Sequence, residues 1–438
     1  MPELPSHAEV EQRQLSQLRT LLMAMETNAF YRDRVLTFAQ SLGCGSIPEL
    51  GSSTTPSLDA FKERFPFTTK SDLVADQAAN PPYGSDLTYP VADYTRCHGT
   101  SGSTGRPLRW LDTTESWNWM LGNWAEVYHA AGVTALDRIF FAFSFGPFLG
   151  FWTAFEAALK LGCLALPGGG MATLARLRSI IDHGATILCC TPTYAIHLGE
   201  TAAKEGIDLS TSKVRVICVA GEAGGSVPAV RTRISQLWNG ARVMDHHGMT
   251  EVGPVTYECP DRPGVLHVIE TSYLAEIVSP EDGRPVARGE VGELVLTTLG
   301  RVGSPLLRYR TGDLVRASQA GTCACGRSEL ALDGGILGRT DDMVVVRGVN
   351  IFPAAVDDVL RAFPEVAEYQ VRVFSSDSLL ELEVTVEPAT EADDTSTLAA
   401  RVQKAFHVAF NLRVPVKATT LGALPRFEHK ARRWVREG

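Results

Sequence analysis

The stretch ILCCTPTYAIHLGETAAK (187–204) decides the fold class of this chain. Its first four residues form an unbroken apolar run, which is the pattern of a strand buried on both faces. The segment Tyr194–Lys204 then carries apolar residues at helical spacing and predicts a helix. The alternation continues downstream with a strand at Val214–Val219, a helix at Val227–Trp238 and a strand at Ala241–Met244. Repeated units of this length predict an α/β fold with mostly parallel sheets flanked by helices.

The same alternation extends towards the N-terminus. Upstream strands are predicted at Arg138–Phe143 and Cys163–Leu166, and helices at Gly150–Leu161 and Leu174–His183. The first 80 residues favour helices alone, at Val10–Thr27, at Asp59–Arg64 and in a short helix capped by Ser71.

The pattern changes twice towards the C-terminus. Past about residue 255, turn sequences such as PEDGRP (280–285) separate short strands, which predicts an antiparallel, barrel-like portion. Its strands are expected at Leu266–Ile269, Leu274–Val278, Gly292–Leu299 and Asp313–Arg316. Past about residue 341, strands at 343–347, 366–374 and 379–386 and helices at 353–363 and 395–410 predict a small α/β domain. We therefore expect a large N-terminal domain over 1–340 and a small C-terminal α/β domain over 341–438.

Composition narrows the class of protein. Among 438 residues, acids exceed bases by 50 to 41, so the net charge is −9, and 45% of residues are hydrophobic. These values exclude a disordered or fibrous chain and argue against nonspecific nucleic-acid binding, which needs a basic surface. Nine irregularly spaced cysteines fit a reducing compartment. Because no targeting or membrane segment stands out, we expect a cytoplasmic protein with neither nucleic acid nor membrane as a partner.

Two segments carry chemistry suited to nucleotides. TSGSTGRP (100–107) combines small and hydroxyl residues, whose backbone N–H groups can approach a polyphosphate, although an ordinary Ser/Gly linker has the same composition. DHHGMTE (245–251) follows a predicted strand at the end where ligands usually bind. Thr250 can donate to a phosphate and Glu251 can hold Mg²⁺ as a hard oxygen ligand, while a plain polar turn is the alternative.

Three further segments indicate a function less specifically when each is considered alone. In RYRTGD (308–313), Asp313 can accept from both hydroxyls of a ribose, although a salt-bridged turn has the same pattern. GRTDDMVVVRGVNIFP (338–353) fits a hinge between domains. LPRFEHKARR (424–433) places Lys430 in a basic tail, which is also typical of a solvated terminus.

Four residues form a candidate zinc set. Cys259 and His267 flank a turn, CPDRPGVLH, and Cys323 and Cys325 form a C-A-C-G knuckle. Two cysteines on a knuckle and a Cys/His pair across a hairpin would make a closed structural zinc site. Unrelated cysteines beside a hairpin histidine are the alternative.

In their order along the chain, these segments resemble the adenylate-forming acyl-CoA ligase superfamily, most closely its phenylacetate–CoA ligase branch. The resemblance runs from about Phe30 to Arg436 and also includes FPFTTKSDL (65–73), VAGE (219–222) and GELVLTTL (292–299). Members of this family use ATP to convert a carboxylate into an acyl-adenylate and then pass the acyl group to a thiol, usually that of CoA. Several members of the branch carry a similar Cys/His set.

The resemblance implies roles for individual residues. Thr250 would lie near the α-phosphate, Glu251 would bind Mg²⁺, Asp313 would bind the ribose, and Lys430 would bridge the carboxylate and the α-phosphate during adenylation. Arg339 would lie near the ribose and phosphates, Asp341 would be the hinge, and Gly348 would contact CoA. The rest of the ATP site would comprise Thr100, Ser101, Gly102, Ser103, Thr104, Gly105, Gly221, Glu222, His246 and His247; His247 stands where the family usually has Tyr.

The family also places its acid pocket at FFAFSFGPFLGFW (140–152). Aromatic walls favour an aromatic or cyclic acid, whereas plain core packing is the alternative. The candidates are Phe141, Phe143, Phe145, Phe148 and Trp152, with Gly146 and Gly248; Phe145, next to Gly146, is the best single choice.

The resemblance therefore predicts an ATP-dependent ligase of an aryl or arylacetic acid, with CoA as acceptor and ATP, Mg²⁺, CoA and a structural Zn²⁺ as its cofactors. One alternative keeps the adenylation but transfers the acyl group to a carrier-protein thiol or to an amine. A second is a non-catalytic nucleotide-binding zinc protein. A homodimer stays open.

Overall fold

A computed structural model describes residues 5–52, 56–100, 107–222, 224–319, 321–342, 344–347, 349–376, 379–390, 395–427 and 432–436. The helices within these ranges are α1 (His7–Ala24), α2 (Arg32–Ser41), α3 (Ile47–Ser52), α4 (Leu58–Arg64), α5 (Lys70–Ala79), α6 (Thr114–Ala130), α7 (Trp152–Lys160), α8 (Thr173–Asp182), α9 (Pro192–Lys204), α10 (Pro228–Leu237), α11 (Pro353–Arg361) and α12 (Thr395–Phe410). Of these helices, none is both long enough and apolar enough to cross a membrane.

The strands of the described ranges are mostly short. They are β1 (Tyr94–Gly99), β2 (Arg109–Thr113), β3 (Arg138–Phe141), β4 (Leu164–Pro167), β5 (Ile187–Cys190), β6 (Val216–Val219), β7 (Arg242–Asp245), β8 (Gly248–Met249), β9 (Gly253–Pro254), β10 (Thr256–Glu258), β11 (Val265–Val268), β12 (Tyr273–Val278), β13 (Val291–Thr298), β14 (Tyr309–Arg316), β15 (Ala331–Asp333), β16 (Gly338–Arg339), β17 (Val344–Val346), β18 (Val349–Ile351), β19 (Val366–Ser376), β20 (Leu379–Pro388), β21 (Val416–Ala418) and β22 (Trp434–Arg436).

Contacts between Cα atoms divide the chain into two compact units. The first comprises residues 1–137, 144–165 and 246–335, and the second comprises residues 138–143, 166–245 and 336–438. The segment 336–438 therefore groups with the strand–helix repeats of 166–245. The predicted division at residue 341 stays a prediction.

The second unit contains the parallel sheet that the sequence predicts. Its strand order is β4-β3-β5-β6-β7, and β3, β5, β6 and β7 pair in parallel. Every residue of β5 and β6 is buried, which explains why these strands have continuous rather than alternating hydrophobicity. The core around them takes in Trp238 from the end of α10 and Tyr194 from α9. The α/β prediction is confirmed.

The segment 336–438 has its own small sheet, β21-β20-β19-β22. Strands β19 and β20 are antiparallel, whereas β21 and β22 join them in parallel. The sequence predicts no strand past residue 410, yet Trp434–Arg436 is a strand paired with β19. The reason is that Trp434 packs on the core of this sheet.

The first unit combines helices with antiparallel strands, as the sequence predicts past residue 255. Strands β12, β13 and β14 form one antiparallel series and β10, β11 and β15 another. An isolated bridge between Ala317 and Leu332 links the two. Sequence reasoning missed α6, whose N-cap Thr113 accepts from the backbone N–H of Ser116 and whose buried face carries three aromatic rings.

Two local predictions are wrong. Thr69, not Ser71, caps α5, because its hydroxyl accepts from the N–H of Asp72 while the Asp72 carboxylate accepts from the N–H of Thr69. RYRTGD does not form a turn before a strand at Asp313–Arg316. All of it except Arg308 lies within β14, which begins at Tyr309, and an irregularity in the pairing with β13 accommodates Gly312.

Candidate active site

Residues 246–251 of the segment DHHGMTE lie in the first unit and form a tight turn. Strands β8 and β9 pair antiparallel, and Thr250–Val252 connect them. Nδ1 of His246 donates to the carbonyl of Thr256 over 2.7 Å. Burial lowers the pKa of the His246 imidazole to about 4, so the ring is neutral. Its hydrogen bond to Thr256 therefore fixes this turn without adding charge.

His247 and Asp313 meet in this unit, although 65 residues separate them in the sequence. Nε2 of His247 lies 3.1 Å from Oδ2 of Asp313, and only 12% and 4% of these side chains are exposed. The backbone N–H of His247 donates to the Thr256 hydroxyl, which fixes the residue at its backbone. The predicted ribose carboxylate therefore lies beside the predicted adenine-site residue.

Glu251 follows in the same turn and is 5% exposed. Its Oε1 lies 3.8 Å from Nζ of Lys70, the first residue of α5. A single carboxylate that is completed by substrate phosphates is the usual protein environment of Mg²⁺, so the donor at Glu251 fits this ion. Sequence reasoning gave Lys70 no role, although its place in FPFTTKSDL was a signal.

Thr100 stands at the base of a hairpin formed by β1 and β2. Its backbone N–H donates to the carbonyl of Leu108 and its hydroxyl accepts from the N–H of Leu108. The residues Ser101, Gly102, Ser103, Thr104 and Gly105 of the predicted phosphate loop lie outside the described residues, as do Gly348 and Lys430.

Among the described residues of the predicted nucleotide site, Gly221, Glu222 and Arg339 lie in the second unit, as does the hinge residue Asp341. Gly221 follows β6 with φ +92°, which a residue with a side chain rarely adopts. Glu222 accepts from the backbone N–H of Thr193 over 2.8 Å. Arg339 pairs with Asp341, with Nε 2.8 Å from Oδ1. The predicted phosphate-site arginine and the predicted hinge residue are therefore in contact.

The predicted acid pocket contains an aromatic cluster in the first unit. The Phe145 ring lies edge-on to the rings of Trp152 and Phe155, with centroids 4.9 and 5.3 Å apart. Phe145 has φ +48°, which is rare for a bulky residue. The indole N–H of Trp152 donates to the carbonyl of Gly146.

The other candidate residues of the acid pocket differ in burial and in their structural surroundings. Phe141 is fully buried in β3 of the second unit, as the core-packing alternative expects. Phe143 and Phe148 are partly buried. At Gly248, an added Cβ would lie 2.9 Å from the carbonyl oxygen of Gly253, so the β8–β9 hairpin requires glycine there.

Cys259, His267, Cys323 and Cys325 converge in the first unit. Their ligand atoms all lie within 4.8 Å of one another. Sγ of Cys259 is 3.7 Å from Sγ of Cys323, and Sγ of Cys325 is 3.4 Å from Nε2 of His267. A tetrahedral zinc with bonds of about 2.3 Å to sulfur and about 2.0 Å to nitrogen would set these separations at roughly 3.8 and 3.5 Å. The donor set therefore fits zinc.

All nine cysteines are free thiols in this structure. Outside the Cys/His set, five are buried as expected of small core residues, but Cys97 is exposed.

Known proteins resemble this chain over most of its length. The family model described as AMP-binding enzyme matches residues 99–300, and the model described as AMP-binding enzyme C-terminal domain matches residues 348–437. A phenylacetate–coenzyme A ligase of Thermus thermophilus is 33% identical over 385 residues, which are 83% of this chain and 84% of that protein. One of Pseudomonas putida is 31% identical over 431 residues, with 96% and 93% covered. The structure of 2-hydroxyisobutyryl-CoA ligase in the postadenylation state, in complex with 2-HIB-AMP, has a TM-score of 0.90 at 27% identity and covers 99% of this chain and 91% of that one.

Proposed function

Because this chain belongs to the phenylacetate–coenzyme A ligases, a branch of the AMP-forming acid–CoA ligases, we propose that the acid it activates is aromatic. The enzyme converts a carboxylic acid and ATP into an acyl-adenylate and then transfers the acyl group to CoA. The observation that carries the aromatic assignment is the edge-on cluster of Phe145, Trp152 and Phe155, because such ring edges suit the face of another ring.

In the first half-reaction, a carboxylate oxygen of the acid attacks the α-phosphorus of ATP. The new P–O bond forms the acyl-adenylate, and the bond to the bridging oxygen breaks to release pyrophosphate. Both reactants are anions, so the site must supply positive charge where negative charge gathers. Mg²⁺ held by Glu251 would supply part of this charge. Lys430 would bridge the carboxylate and the α-phosphate, and Thr250 would donate to the α-phosphate.

Two of the predicted nucleotide-binding residues, His247 and Asp313, lie together in the first unit. Asp313 would accept from the ribose hydroxyls, and its contact with His247 at 3.1 Å supports a shared place for ribose and base. By the family resemblance, His246, Gly221 and Glu222 would also contact the nucleotide, Arg339 would contact the ribose and phosphates, and the loop from Thr100 to Gly105 would bind the β- and γ-phosphates.

In the second half-reaction, the CoA thiolate attacks the acyl carbonyl carbon, the thioester forms and AMP leaves. We propose that residues 341–438 act as a lid that changes its orientation between the two steps, with Asp341 as hinge and Gly348 at the CoA site. The pairing of Arg339 with Asp341 supports this, because a hinge movement would couple directly to a nucleotide-site residue.

We also propose that Cys259, His267, Cys323 and Cys325 bind one structural Zn²⁺. The ligand separations support it, and four protein ligands leave no position for water. The free thiols outside this set suit a reducing, cytoplasmic compartment.

ATP–pyrophosphate exchange across a panel of acids tests the proposed substrate class. Phenylacetate, benzoate and hydroxybenzoates are expected to support exchange, whereas acetate and hexanoate are not. Exchange with aliphatic acids alone would contradict the aromatic assignment, and no exchange with any acid would contradict ligase activity. Exchange without acyl-CoA after CoA is added would instead favour a carrier-protein or amine acceptor.

Two variants separate the roles within this reaction. Lys430→Ala is expected to abolish exchange but to spare thioester formation from preformed acyl-adenylate, because its charge is needed only in the first step. Equal loss of both half-reactions in Lys430→Ala would show that its step is misassigned.

Phe145→Leu is expected to raise KM for the aromatic acid by roughly tenfold and to leave KM for ATP unchanged, since one edge-on ring contact is lost.

A further inference from the structure

The backbone of the turn that carries Thr250 and Glu251 is hydrogen-bonded to one member of a fully buried ion pair. Arg301 and Asp112 each have no exposed surface. Nε and Nη2 of Arg301 donate to the two carboxylate oxygens of Asp112, each over 2.7 Å. Its remaining terminal nitrogen, Nη1, donates to the backbone carbonyls of Thr250 and Glu251 over 2.9 and 2.6 Å.

This arrangement uses both sides of one guanidinium. The side facing Asp112 is a bidentate fork, which fixes the plane of the group. The other side then has to meet the two carbonyls at a defined place. Because a lysine has no such fork, it could not satisfy Asp112 and both carbonyls with the same geometry.

The next carbonyls of the same turn are held by a second buried side chain. The hydroxyl of Tyr273 contacts the carbonyls of Val252 and Pro254 over 2.7 and 2.9 Å. Asn123 in turn contacts that hydroxyl over 3.4 Å. Four backbone carbonyls between residues 250 and 254 therefore have buried side-chain partners. The backbone that carries the Glu251 side chain is fixed by these contacts.

Through Arg301, Asp112 connects this turn to β2. This strand begins two residues after the segment 100–107 ends. A buried ion pair gains little stability over a hydrophobic pair of the same volume, because both charges lose their hydration. Orientation of the turn that carries Thr250 and Glu251 therefore explains the Arg301–Asp112 pair better than a gain in folding stability does.

We propose that Arg301, fixed by Asp112, is a positioning residue that places the Glu251 carboxylate for Mg²⁺ relative to the strand leaving the phosphate loop. This rests on the proposed function, in which Glu251 is the metal ligand. Arg301 itself touches neither metal nor substrate. Groups that orient a metal ligand in this way typically alter metal affinity by 10- to 100-fold when they are lost.

The test compares Arg301→Lys with a matched control, Arg308→Lys. Arg308 is also buried in the first unit, forks onto Glu276 over 2.9 and 2.8 Å, and donates to a backbone carbonyl, that of Phe65, away from the turn. Tyr273→Phe removes the hydroxyl contacts to the carbonyls of residues 252 and 254 and to Asn123. All three variants keep size and apolar packing nearly constant.

Two readouts are needed. In the enzyme without nucleotide, amide hydrogen exchange over residues 249–254 is expected to be faster in Arg301→Lys and in Tyr273→Phe than in the wild type, but unchanged in Arg308→Lys. In ATP–pyrophosphate exchange, the Mg²⁺ concentration for half-maximal rate is expected to rise roughly tenfold or more in Arg301→Lys and to stay constant in Arg308→Lys.

The proposal is overturned if Arg301→Lys and Arg308→Lys lose thermal stability alike and leave both readouts at the wild-type values, because Arg301 would then be structural only. It is also overturned if amide exchange rises but the Mg²⁺ requirement does not. If the wild type shows no pyrophosphate exchange with any acid, the proposed function fails, while amide exchange still tests whether Arg301 fixes the turn.

Discussion

At the residue scale, Asp86 is a buried acid outside the candidate site. It is 2% exposed, and its Oδ1 has no hydrogen-bond partner among the described residues. Burial, reinforced by the charge of Asp76, raises the pKa of this carboxyl to about 7. The native state therefore favours the protonated form more than the unfolded chain does.

This pKa gives stability a defined dependence on pH. The contribution of Asp86 is greatest below its unfolded pKa of about 4 and falls by about 1.4 kcal/mol per pH unit until the folded pKa is passed. Asp86→Asn removes this loss, so its melting temperature is expected to exceed that of the wild type increasingly between pH 5 and pH 8. Thermal melts across this range measure the difference.

Asp282→Asn serves as the control for that series. Asp282 is exposed, and hydrogen bonds from the backbone N–H of Arg284 and from Ser279 lower the pKa of its carboxyl. Its contribution is present at neutral pH and lost in acid, so the Asn variant should gain nothing at pH 8. A similar gain in both variants would point to net charge rather than to burial of Asp86.

At the scale of elements, the Cys/His set joins a hairpin to a knuckle. Cys259 follows β10 and His267 lies on β11, whereas Cys323 and Cys325 stand between β14 and β15. If zinc joins these segments, elemental analysis should find about one zinc per chain, and removal by a chelator should lower the melting temperature. Adenylation below the new melting temperature should persist, because the metal is structural.

Two serine variants sharpen the metal prediction. Cys323→Ser is expected to lose the bound zinc, while Cys97→Ser, which alters an exposed cysteine outside the set, should retain it. Equal zinc content in both variants, or adenylation that stops at once on chelation in a folded protein, would contradict a structural zinc at these four residues.

At the scale of the whole molecule, Arg433 ties the C-terminal strand into the second unit. It is 9% exposed, pairs with Glu368 over 2.6 Å and donates to the hydroxyl of Thr193 on α9. Burial alone would raise the pKa of Glu368, but the hydrogen bond and charge of Arg433 hold it below its ordinary value. The attachment of the tail therefore depends on a buried ion pair.

Removing one member of that pair leaves a buried charge uncompensated. Arg433→Ala is expected to destabilise the protein by about 3–5 kcal/mol, measured as a lower denaturation midpoint. Arg401→Ala breaks an exposed pair with Glu365 and should cost at most about 1 kcal/mol. Comparable midpoints for the two variants would show that Arg433 is not buried as described.

The sequence by itself determined the fold class and the composition of the candidate site. Continuous apolar runs such as 187–190 report burial on both faces, and the order of motifs places Glu251 and Asp313 in a known family. These signals depend on residues that are close in the sequence, so hydrophobic periodicity and motif spacing are enough to detect them. The missed helix α6 carries its buried apolar residues at helical spacing, at 117, 120, 121, 124, 127 and 128, so periodicity could have predicted it.

Tertiary structure alone decided which partners these residues meet. Arg301 and Asp112 are 189 residues apart in the sequence, and Lys70 and Glu251 are similarly remote, so no local pattern could pair them. The same holds for Cys259, His267, Cys323 and Cys325, whose ligand atoms lie within 4.8 Å of one another although the first two are distant in the sequence from the last two. The physical reason is that a charge or a metal ligand is specified by what surrounds it in space, and packing of distant segments sets those surroundings.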